Sequence, residues 1–347
     1  MLKYSIKRII LAFVTAFILL TLTFFLMKSL PPLGVVSPNE NTRLAFYVDQ
    51  VRLGYFVEKT ELTPSLGTPV EKFKVDGQWV YYYIKPAIDQ YFSWLGNIVT
   101  KWDWGRSTVI EPNSSAIDII AERLPTTMSI NIIATLISVP LGILIGIWAG
   151  LKKNTWVDHT ISTVVMIFVS IPGFVVISLL IYWFAFQLDW LPTSWPTPEQ
   201  TLGTKILGYI IPVASISFGS ICGYTRIVRA ELCEVMSSEY LLLARTKGLT
   251  KNQAIVRHAL RNAFVPILPT ILADFILVFS GGVILESLYN IPGVGKLYMQ
   301  AVNQTNPDYN VLLVDMAVFT TIGLLAGILF DLSYGFIDPR IRMGAKK

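Results

Sequence analysis

The 347-residue chain is 53% hydrophobic and 15% charged, with a mean hydropathy of +0.56, whereas an average soluble domain is about one-quarter charged. This composition excludes an ordinary soluble domain and indicates a polytopic membrane protein. The net charge of +5 is interpreted as a membrane-topology bias, and no nucleic-acid partner is expected. Cys222 and Cys233 lie in or beside one apolar run and His159 and His258 are isolated, so neither a disulfide framework nor a metal site is predicted.

Six apolar segments are each long enough to cross a bilayer, which takes roughly 20 residues of helix. They are residues 9–27, 128–151, 160–186, 206–224, 264–285 and 311–337. Lys3, Lys7 and Arg8 precede the first segment, as basic residues do in a signal peptide. The apolar run is too long for a signal peptide, however, and no small-residue cleavage site follows it. We therefore predict that it is retained as the first transmembrane helix.

Lysine and arginine residues set the predicted orientation. If the N-terminus is inside, sixteen of them fall on inner segments, and the two short outer loops carry only Lys205 and Lys296. The sixteen are Lys3, Lys7, Arg8, Lys152, Lys153, Arg226, Arg229, Arg245, Lys247, Lys251, Arg257, Arg261, Arg340, Arg342, Lys346 and Lys347. Six spans with both termini inside are therefore predicted.

The long segment between the first two spans is predicted to lie outside as a small α+β lobe, because long translocated segments largely ignore their own charge. Asp76-Gly77 between two strand-like runs predicts a β-hairpin with a type I′ turn. The hairpin aromatics are either a local core with an interfacial belt, which we favour, or a docking face. They are Trp79, Tyr81, Tyr82 and Tyr83. Residues 91–107 then predict a helix at the outer membrane surface.

Residues 237–262 form a basic segment between two apolar runs, and they are predicted to be cytoplasmic. Ser237 or Ser238 is a candidate N-cap for a first helix, and Gly248 is placed to end it in a left-handed conformation. Thr250 and Gln253 form a capping box that starts a second helix. The segment is either a solvated loop that only obeys topology or a docking element. Two capped helices around a turn glycine favour the docking element.

This segment resembles the cytoplasmic coupling loop of ABC importer permeases. Ala244 and Gly248 keep the spacing between the last alanine and the glycine of the family's Glu-Ala-Ala loop, whereas Leu242 and Leu243 replace its Glu and first Ala. The match is fuller to the oligopeptide/dipeptide branch of binding-protein-dependent transport. The blocks that carry it are EYLLLARTKGL, VRHALRNAFVP, AERLPTTMSI, SIPGFV, DWLP, ESLYNIPGVGKLY and DPRIR. They cover most of the chain from residue 91 onward, whereas residues 35–85 show little resemblance.

The resemblance implies a permease of the type I ABC importer kind, with six transmembrane helices, in a bacterial or archaeal cell membrane with both termini cytoplasmic. The implied parts are a first helix (1–29), an extracytoplasmic lobe (30–115) and a permease core (116–347) with coupling loop 226–262. The implied partners, besides the lipid bilayer, are a second homologous permease, two ABC ATPase subunits and an extracytoplasmic peptide-binding protein. ATP and Mg are expected on the ATPases, while this chain is expected to bind no cofactor and to catalyse no reaction.

By the same resemblance, the ATPase contacts are expected at Glu239, Tyr240, Ala244, Arg245, Lys247, Gly248, Arg257, His258 and Arg261. The Walker-like stretch PGVGKLY, residues 292–298, lacks the first glycine of that motif, and Leu297 stands where Ser or Thr is required. The expected function is import of oligopeptides, with dipeptides, nickel or another small solute as alternatives. An ATP-independent secondary transporter or channel, or a membrane receptor or scaffold, would be a different class.

Polar residues in or directly beside the apolar segments are candidates for the translocation path, because such residues are costly in a bilayer and usually face a cavity or partner. The candidates are Asn131, Asp274 and Glu286. Asp274 either lines the path or pairs with a basic group on the partner permease, or it is a carboxyl packed between helices. Asn131 is expected to join helices by hydrogen bonds.

Three further features lie near the ends of the predicted spans. Glu286 and Asp315 are expected near the outer rim, where solvation is cheap. Asp331 is expected to pair locally with a basic residue near the inner end of the sixth span. Gly281-Gly282 is expected to allow a close helix approach or a bend, with gating as the weaker hypothesis.

Overall fold

The computed structural model of the chain describes residues 2–29, 39–303 and 307–337. Contacts divide the chain into two units. The membrane unit consists of Met1–Phe13, Leu124–Lys296 and Thr321–Lys347, and the lobe unit of Val14–Arg123 and Leu297–Thr320. The DPRIR block and the basic tail that was used to orient the chain lie outside the described residues.

Most of the described chain is helical, and a small sheet is present, which confirms the predicted all-α membrane protein with an α+β lobe. The helices are α1 (Leu2–Ser29), α2 (Glu40–Arg52), α3 (Ala87–Lys101), α4 (Ala116–Leu151), α5 (Trp156–Ser170), α6 (Gly173–Leu180), α7 (Leu202–Met236), α8 (Glu239–Thr246), α9 (Lys251–Ala254), α10 (Leu260–Ala263), α11 (Ile267–Leu277), α12 (Val283–Leu288), α13 (Val294–Ala301) and α14 (Tyr309–Ile337). Pro64–Leu66 is a short 3-10 helix, and Ile181–Gln187 and Ile255–Ala259 are π-helical.

Four described helices are long and apolar enough to cross a membrane, namely Ile6–Ser29, Ala116–Leu151, Leu202–Met236 and Tyr309–Ser333. Two bent pairs are also apolar enough, and the number rises to six if each pair is one crossing. The pairs are Trp156–Ser170 with Gly173–Gln187, bent by 96°, and Lys251–Ala263 with Ile267–Leu277, bent by 51°.

The prediction of one continuous third helix over residues 160–186 is wrong. Helix α5 ends at Ser170, and α6 starts at Gly173 on the other side of the bend. Ile171 between them is extended, with φ −84° and ψ 122°. The cause is Pro172, because a proline pushes the residue before it out of the helical conformation.

The predicted fifth helix, residues 264–285, is also broken. It splits into α11 and α12, with a non-helical stretch at residues 278–282. Gly281 lies in this stretch because the chain there passes close to Gly295: a Cβ on Gly281 would lie 2.4 Å from the backbone nitrogen of Gly295. The fourth helix is longer than the predicted 206–224, so that Arg226 and Arg229 lie on α7 itself.

The lobe unit contains one antiparallel sheet, in the order β1 (Phe56–Lys59), β3 (Gln78–Ile84), β2 (Glu71–Val75). The predicted hairpin is confirmed: Asp76 and Gly77 both have positive φ, at 47° and 84°, as a type I′ turn requires. Strand β1 was not predicted.

The hairpin aromatics divide between core and surface. Tyr82 and Tyr83 are each 1% exposed, which confirms the local-core interpretation for these two, whereas Trp79 is 47% exposed. Within the same unit, Phe24 packs against Tyr91 and Trp94 at centroid distances of 5.5 and 5.0 Å.

A buried carboxylate ties two distant parts of the lobe unit together. Asp308 Oδ2 accepts hydrogen bonds from the backbone N–H groups of Thr108, Val109 and Ile110, at 3.0, 3.0 and 3.2 Å. It also accepts one from the Ser107 hydroxyl at 2.6 Å. Successive N–H groups of this kind form an anion-binding nest, which the chain here fills with its own side chain.

Helices α4 and α7 of the membrane unit meet along a seam of glycines. Gly142, Gly146 and Gly150 are spaced four residues apart, so they lie on one face of α4. A Cβ on Gly142 would come 2.5 Å from Tyr224 Cβ, and one on Gly146 would come 2.7 Å from Val228 Cβ. This is the small-residue spacing that allows membrane helices to approach closely.

Candidate coupling segment and polar cleft

The basic segment is a pair of helices joined at a glycine, as predicted. Helix α8 ends at Thr246, and Gly248 follows in the left-handed region with φ +96°. No atom lies within 4 Å of a Cβ built on Gly248, so the backbone angle alone favours glycine there. Thr250 and Gln253 form both hydrogen bonds of the predicted capping box, which starts the second helix.

The predicted serine cap of α8 is wrong. Ser238 occupies the N-cap position, but its hydroxyl donates to Val235 O at 2.5 Å instead of accepting from α8. The hydroxyl of Ser237 donates to Glu234 O at 2.8 Å. Both serine hydroxyls therefore bond to carbonyl groups in the last turn of α7, and the two serines themselves separate α7 from α8.

The inner side of the helix pair is a small apolar core. Leu241, Ala254, Ala259 and Ala263 are at most 6% exposed, and they cluster with Leu232 of α7. The π-helical turn at Ile255–Ala259 interrupts the second helix; such turns often occur at functional sites. The pair is thus packed onto the membrane unit and is not a loose loop.

The outer side of the pair carries the residues expected to contact an ATPase. Eight of the nine are exposed and Ala244 is partly exposed; the exposed eight are Glu239, Tyr240, Arg245, Lys247, Gly248, Arg257, His258 and Arg261. Leu242 and Leu243, which depart from the family pattern, are 63% and 56% exposed. The four arginine and lysine side chains among the eight form no ion pair with any described residue.

About two turns before this segment, α7 is held to α5 by a buried ion pair that was not predicted from the sequence. Asp158 is fully buried, and Arg229 donates to it from two nitrogens, Nη2 to Oδ2 at 2.8 Å and Nε to Oδ1. The backbone N–H of Asn154 donates to the same carboxylate at 2.9 Å. Asp158 is the only acidic residue between Lys152 and the third apolar segment, which marked it as a candidate for an ion pair. The sequence alone did not show which of several basic residues is its partner.

Two of the three translocation candidates meet at one polar cleft of about 280 Å³ in the membrane unit. The Tyr224 hydroxyl donates to Asp274 Oδ2. Asn131 of α4 donates from Nδ2 to Val278 O at 2.9 Å and to Ser280 O at 3.0 Å. Asn131 therefore joins α4 to the carbonyl groups that the break after α11 leaves without helical partners.

The third candidate, Glu286, lies elsewhere in the unit, and the prediction of a solvated rim position for it is wrong. It is 3% exposed. Its Oε1 accepts from the Thr127 hydroxyl at 2.9 Å and from Gly282 N–H at 3.3 Å, and its Oε2 accepts from Lys296 N–H at 3.0 Å. Burial raises the pKa of Glu286, although these donors oppose the shift.

The reason for this burial is the Walker-like block that follows. A Cβ on Gly293 would lie 2.4 Å from both Glu286 Oε2 and Thr127 Oγ1. A Cβ on Gly295 would lie 2.8 Å from the backbone nitrogen of Val283. The glycines of PGVGKLY thus serve close packing around a carboxylate of the same chain.

Two further carboxylates singled out in the sequence, Asp315 and Asp331, differ from each other. Asp315 is fully buried, so the rim prediction is wrong for this residue too. Asp331 pairs with Arg8, Nη1 to Oδ2 at 3.0 Å, which confirms the predicted local ion pair.

Comparison with known proteins connects the whole chain to one group of transporters. Residues 142–343 match the family described as "Binding-protein-dependent transport system inner membrane component". The dipeptide transport system permease protein DppB of Bacillus subtilis is 29% identical over 100% of both chains. The oligopeptide transport system permease protein OppB of Escherichia coli K12 is 31% identical over 99% of this chain and 100% of the relative.

A solved structure of an amino acid ABC transporter superposes on 63% of this chain and 94% of its own, with a TM-score of 0.47 and 18% identity. That likeness is slight, so family membership rests on the sequence matches.

Proposed function

The chain belongs to the family of inner membrane components of binding-protein-dependent transport systems, and from that premise we propose that it is the permease subunit of an ATP-driven importer of oligopeptides. The observation that carries this proposal is the helix pair at residues 237–263, which has an apolar inner side packed on the membrane unit. Its basic outer side forms no ion pair with the rest of the described chain. An ATPase subunit docks on that outer side.

Force applied to the pair reaches the polar cleft through α7. This helix is continuous from Leu202 to Met236 and carries Tyr224, which contacts Asp274 in the cleft. Tyr224 and Ser238 are separated by about 21 Å along a helix axis at 1.5 Å per residue. Closure of the ATPase pair around ATP pushes on α8, and α7 transmits the movement to the cleft, which alternates between outward and inward access.

ATP and Mg belong to two ATPase subunits in this assembly, and the Walker-like glycines of this chain pack around its own Glu286. A second, homologous permease completes the path, and an extracytoplasmic binding protein delivers the peptide. Residues 30–115 form the extracytoplasmic lobe and residues 116–347 the permease core, in a bacterial or archaeal cell membrane with both termini cytoplasmic.

Dipeptides are the second candidate substrate. The relative named for dipeptide transport is about as similar to this chain as the relative named for oligopeptide transport, at 29% and 31% identity. Uptake of labelled di-, tri- and pentapeptides by the assembled transporter separates the two candidates.

The test of the coupling role is Gly248→Val. A β-branched residue is strained at φ +96°, so the turn changes, and we expect at least a tenfold loss of ATPase co-purification and of peptide uptake. Gly67→Val in the lobe unit is the matched control, because Gly67 also has a positive φ, +83°, and no atom within 4 Å of its Cβ position. Undiminished assembly and uptake with Gly248→Val would refute the proposal.

A further inference from the structure

We propose that the cleft at Asp274 binds the free α-ammonium group of the transported peptide, an inference that rests on the proposed function. Only one oxygen of the Asp274 carboxylate accepts a hydrogen bond. Oδ2 accepts from the Tyr224 hydroxyl, whereas Oδ1 has no hydrogen-bond partner among the described residues. Asp274 is also the only ionisable side chain among the described residues that line the cleft. The cleft therefore offers a single negative charge with one open oxygen.

The uncharged lining adds hydrogen-bonding groups around this charge. The hydroxyls of Thr135, Ser220 and Ser280 line the cleft, and none of them bonds to another described residue. An ammonium group has three donors and no acceptor. Asp274 accepts one of these donors, and the hydroxyl oxygens accept the others or bond to the first peptide group of the ligand.

The backbone at the cleft carries partial negative charge, as the Asp274 side chain carries a full one. Helix α11 ends at Leu277, and the chain is not helical again until Val283. The C-terminal end of a helix carries partial negative charge, and carbonyl groups at breaks in membrane helices are known to coordinate cations. Asn131 fixes the break by donating to Val278 O and Ser280 O. Side chain and backbone thus both favour a cation.

The cleft has a volume of about 280 Å³, which is enough space for the terminal residue of a peptide. A lysine side chain carries the same chemical group, so the experiment has to separate the two ammonium sources.

The experiment measures uptake into vesicles that contain the assembled transporter and its binding protein. Four labelled tripeptides are used: with a free or acetylated N-terminus, and with Lys or Met at the middle position. We expect the wild type to prefer free over acetylated N-termini, and Asp274→Asn to reduce that preference at least tenfold. Asp274→Glu, which keeps the charge, retains the direction of the preference.

Asp331→Asn is the matched control, since it makes the same change in another apolar helix of the membrane unit, and it should keep the wild-type preference. An equal loss of free and acetylated peptides with Asp274→Asn would overturn the inference, as expected if Asp274 only holds helices together or pairs with a partner permease. An effect confined to the Lys peptides would overturn the N-terminal assignment. If the wild type imports no peptide at all, the proposed function itself fails.

Discussion

The charges of the basic segment and those of the interior of the membrane unit are arranged in opposite ways. On residues 237–263 the arginine and lysine side chains are exposed and form no ion pair with a described residue. In the interior, Asp158 and Glu286 are buried and surrounded by donors from the same chain. Buried charges that are hydrogen-bonded within the chain stabilise the fold. Exposed charges without an ion pair in the described chain contribute little to stability and are available for binding a partner. Substitutions at the two kinds of charge should therefore alter different measurements.

The largest loss of stability is expected from Asp158→Ala. It leaves Arg229 partly buried without its carboxylate, and breaking a buried pair costs about 3–5 kcal/mol. Because the Arg229 side chain is 32% exposed, we expect the lower end of this range. Thermal unfolding of the purified protein in detergent measures the change.

A double variant, Asp158→Leu with Arg229→Met, removes both charges and is the control. It should regain most of the lost stability, since no charge is left unpaired. A single variant as stable as the wild type would show that the buried pair does not stabilise the fold.

The next largest effect is expected from Glu286→Gln. The amide keeps the size of the carboxyl but presents an NH₂ group to backbone donors, at a cost of about 1–3 kcal/mol. The pH dependence sharpens the test, because burial raises the pKa of Glu286. A carboxyl of this kind stabilises the fold fully below its unfolded pKa, and that stabilisation is lost as the pH rises through its higher folded pKa.

Tm of the wild type should therefore fall as the pH rises above the ordinary range for glutamate, and the Gln variant should lack this part of the change. An identical pH profile for the two proteins would show that Glu286 does not titrate with a raised pKa.

A smaller effect is expected from Asp331→Asn. Its ion pair with Arg8 is solvent-accessible on both sides, with side chains 45% and 29% exposed, and such pairs contribute about 0–1 kcal/mol. A change in Tm as large as that of Asp158→Ala would contradict the distinction between exposed and buried pairs.

The smallest effect on stability is expected from substitutions in the basic segment. Arg257→Ala with Arg261→Ala should change the free energy of unfolding by no more than about 0.5 kcal/mol, because both side chains are exposed. The same double variant should reduce ATPase co-purification several-fold. Lys152→Ala with Lys153→Ala, which removes two exposed charges from the turn after α4, is the control and should not reduce it.

The predictions from sequence succeeded where a few neighbouring residues decide the structure. The capping box at Thr250 and Gln253 and the turn at Asp76-Gly77 are such cases. They failed where segments far apart in the chain decide it. Asp158 and Arg229 are 71 residues apart, and Glu286 meets Thr127 across 159 residues. Nothing local distinguishes such a buried carboxylate from one at a solvated rim.

Other misses had usable signals. Pro172 marks the break in the third span, because a proline restricts the residue before it. The four-residue spacing of Gly142, Gly146 and Gly150 is a known signature of close helix packing in membranes. The cleft at Asp274 had a weaker signal, since the residue itself was a candidate but its neighbours Tyr224 and Ser220 come from another helix.

The glycine seam between α4 and α7 has a thermodynamic consequence. Gly142, Gly146 and Gly150 have no rotamers, so closing their side of the seam costs no side-chain entropy. If α4 shifts along α7, these three positions need no torsional rearrangement. The barrier to such a shift then comes only from the α7 side chains and the backbone surfaces.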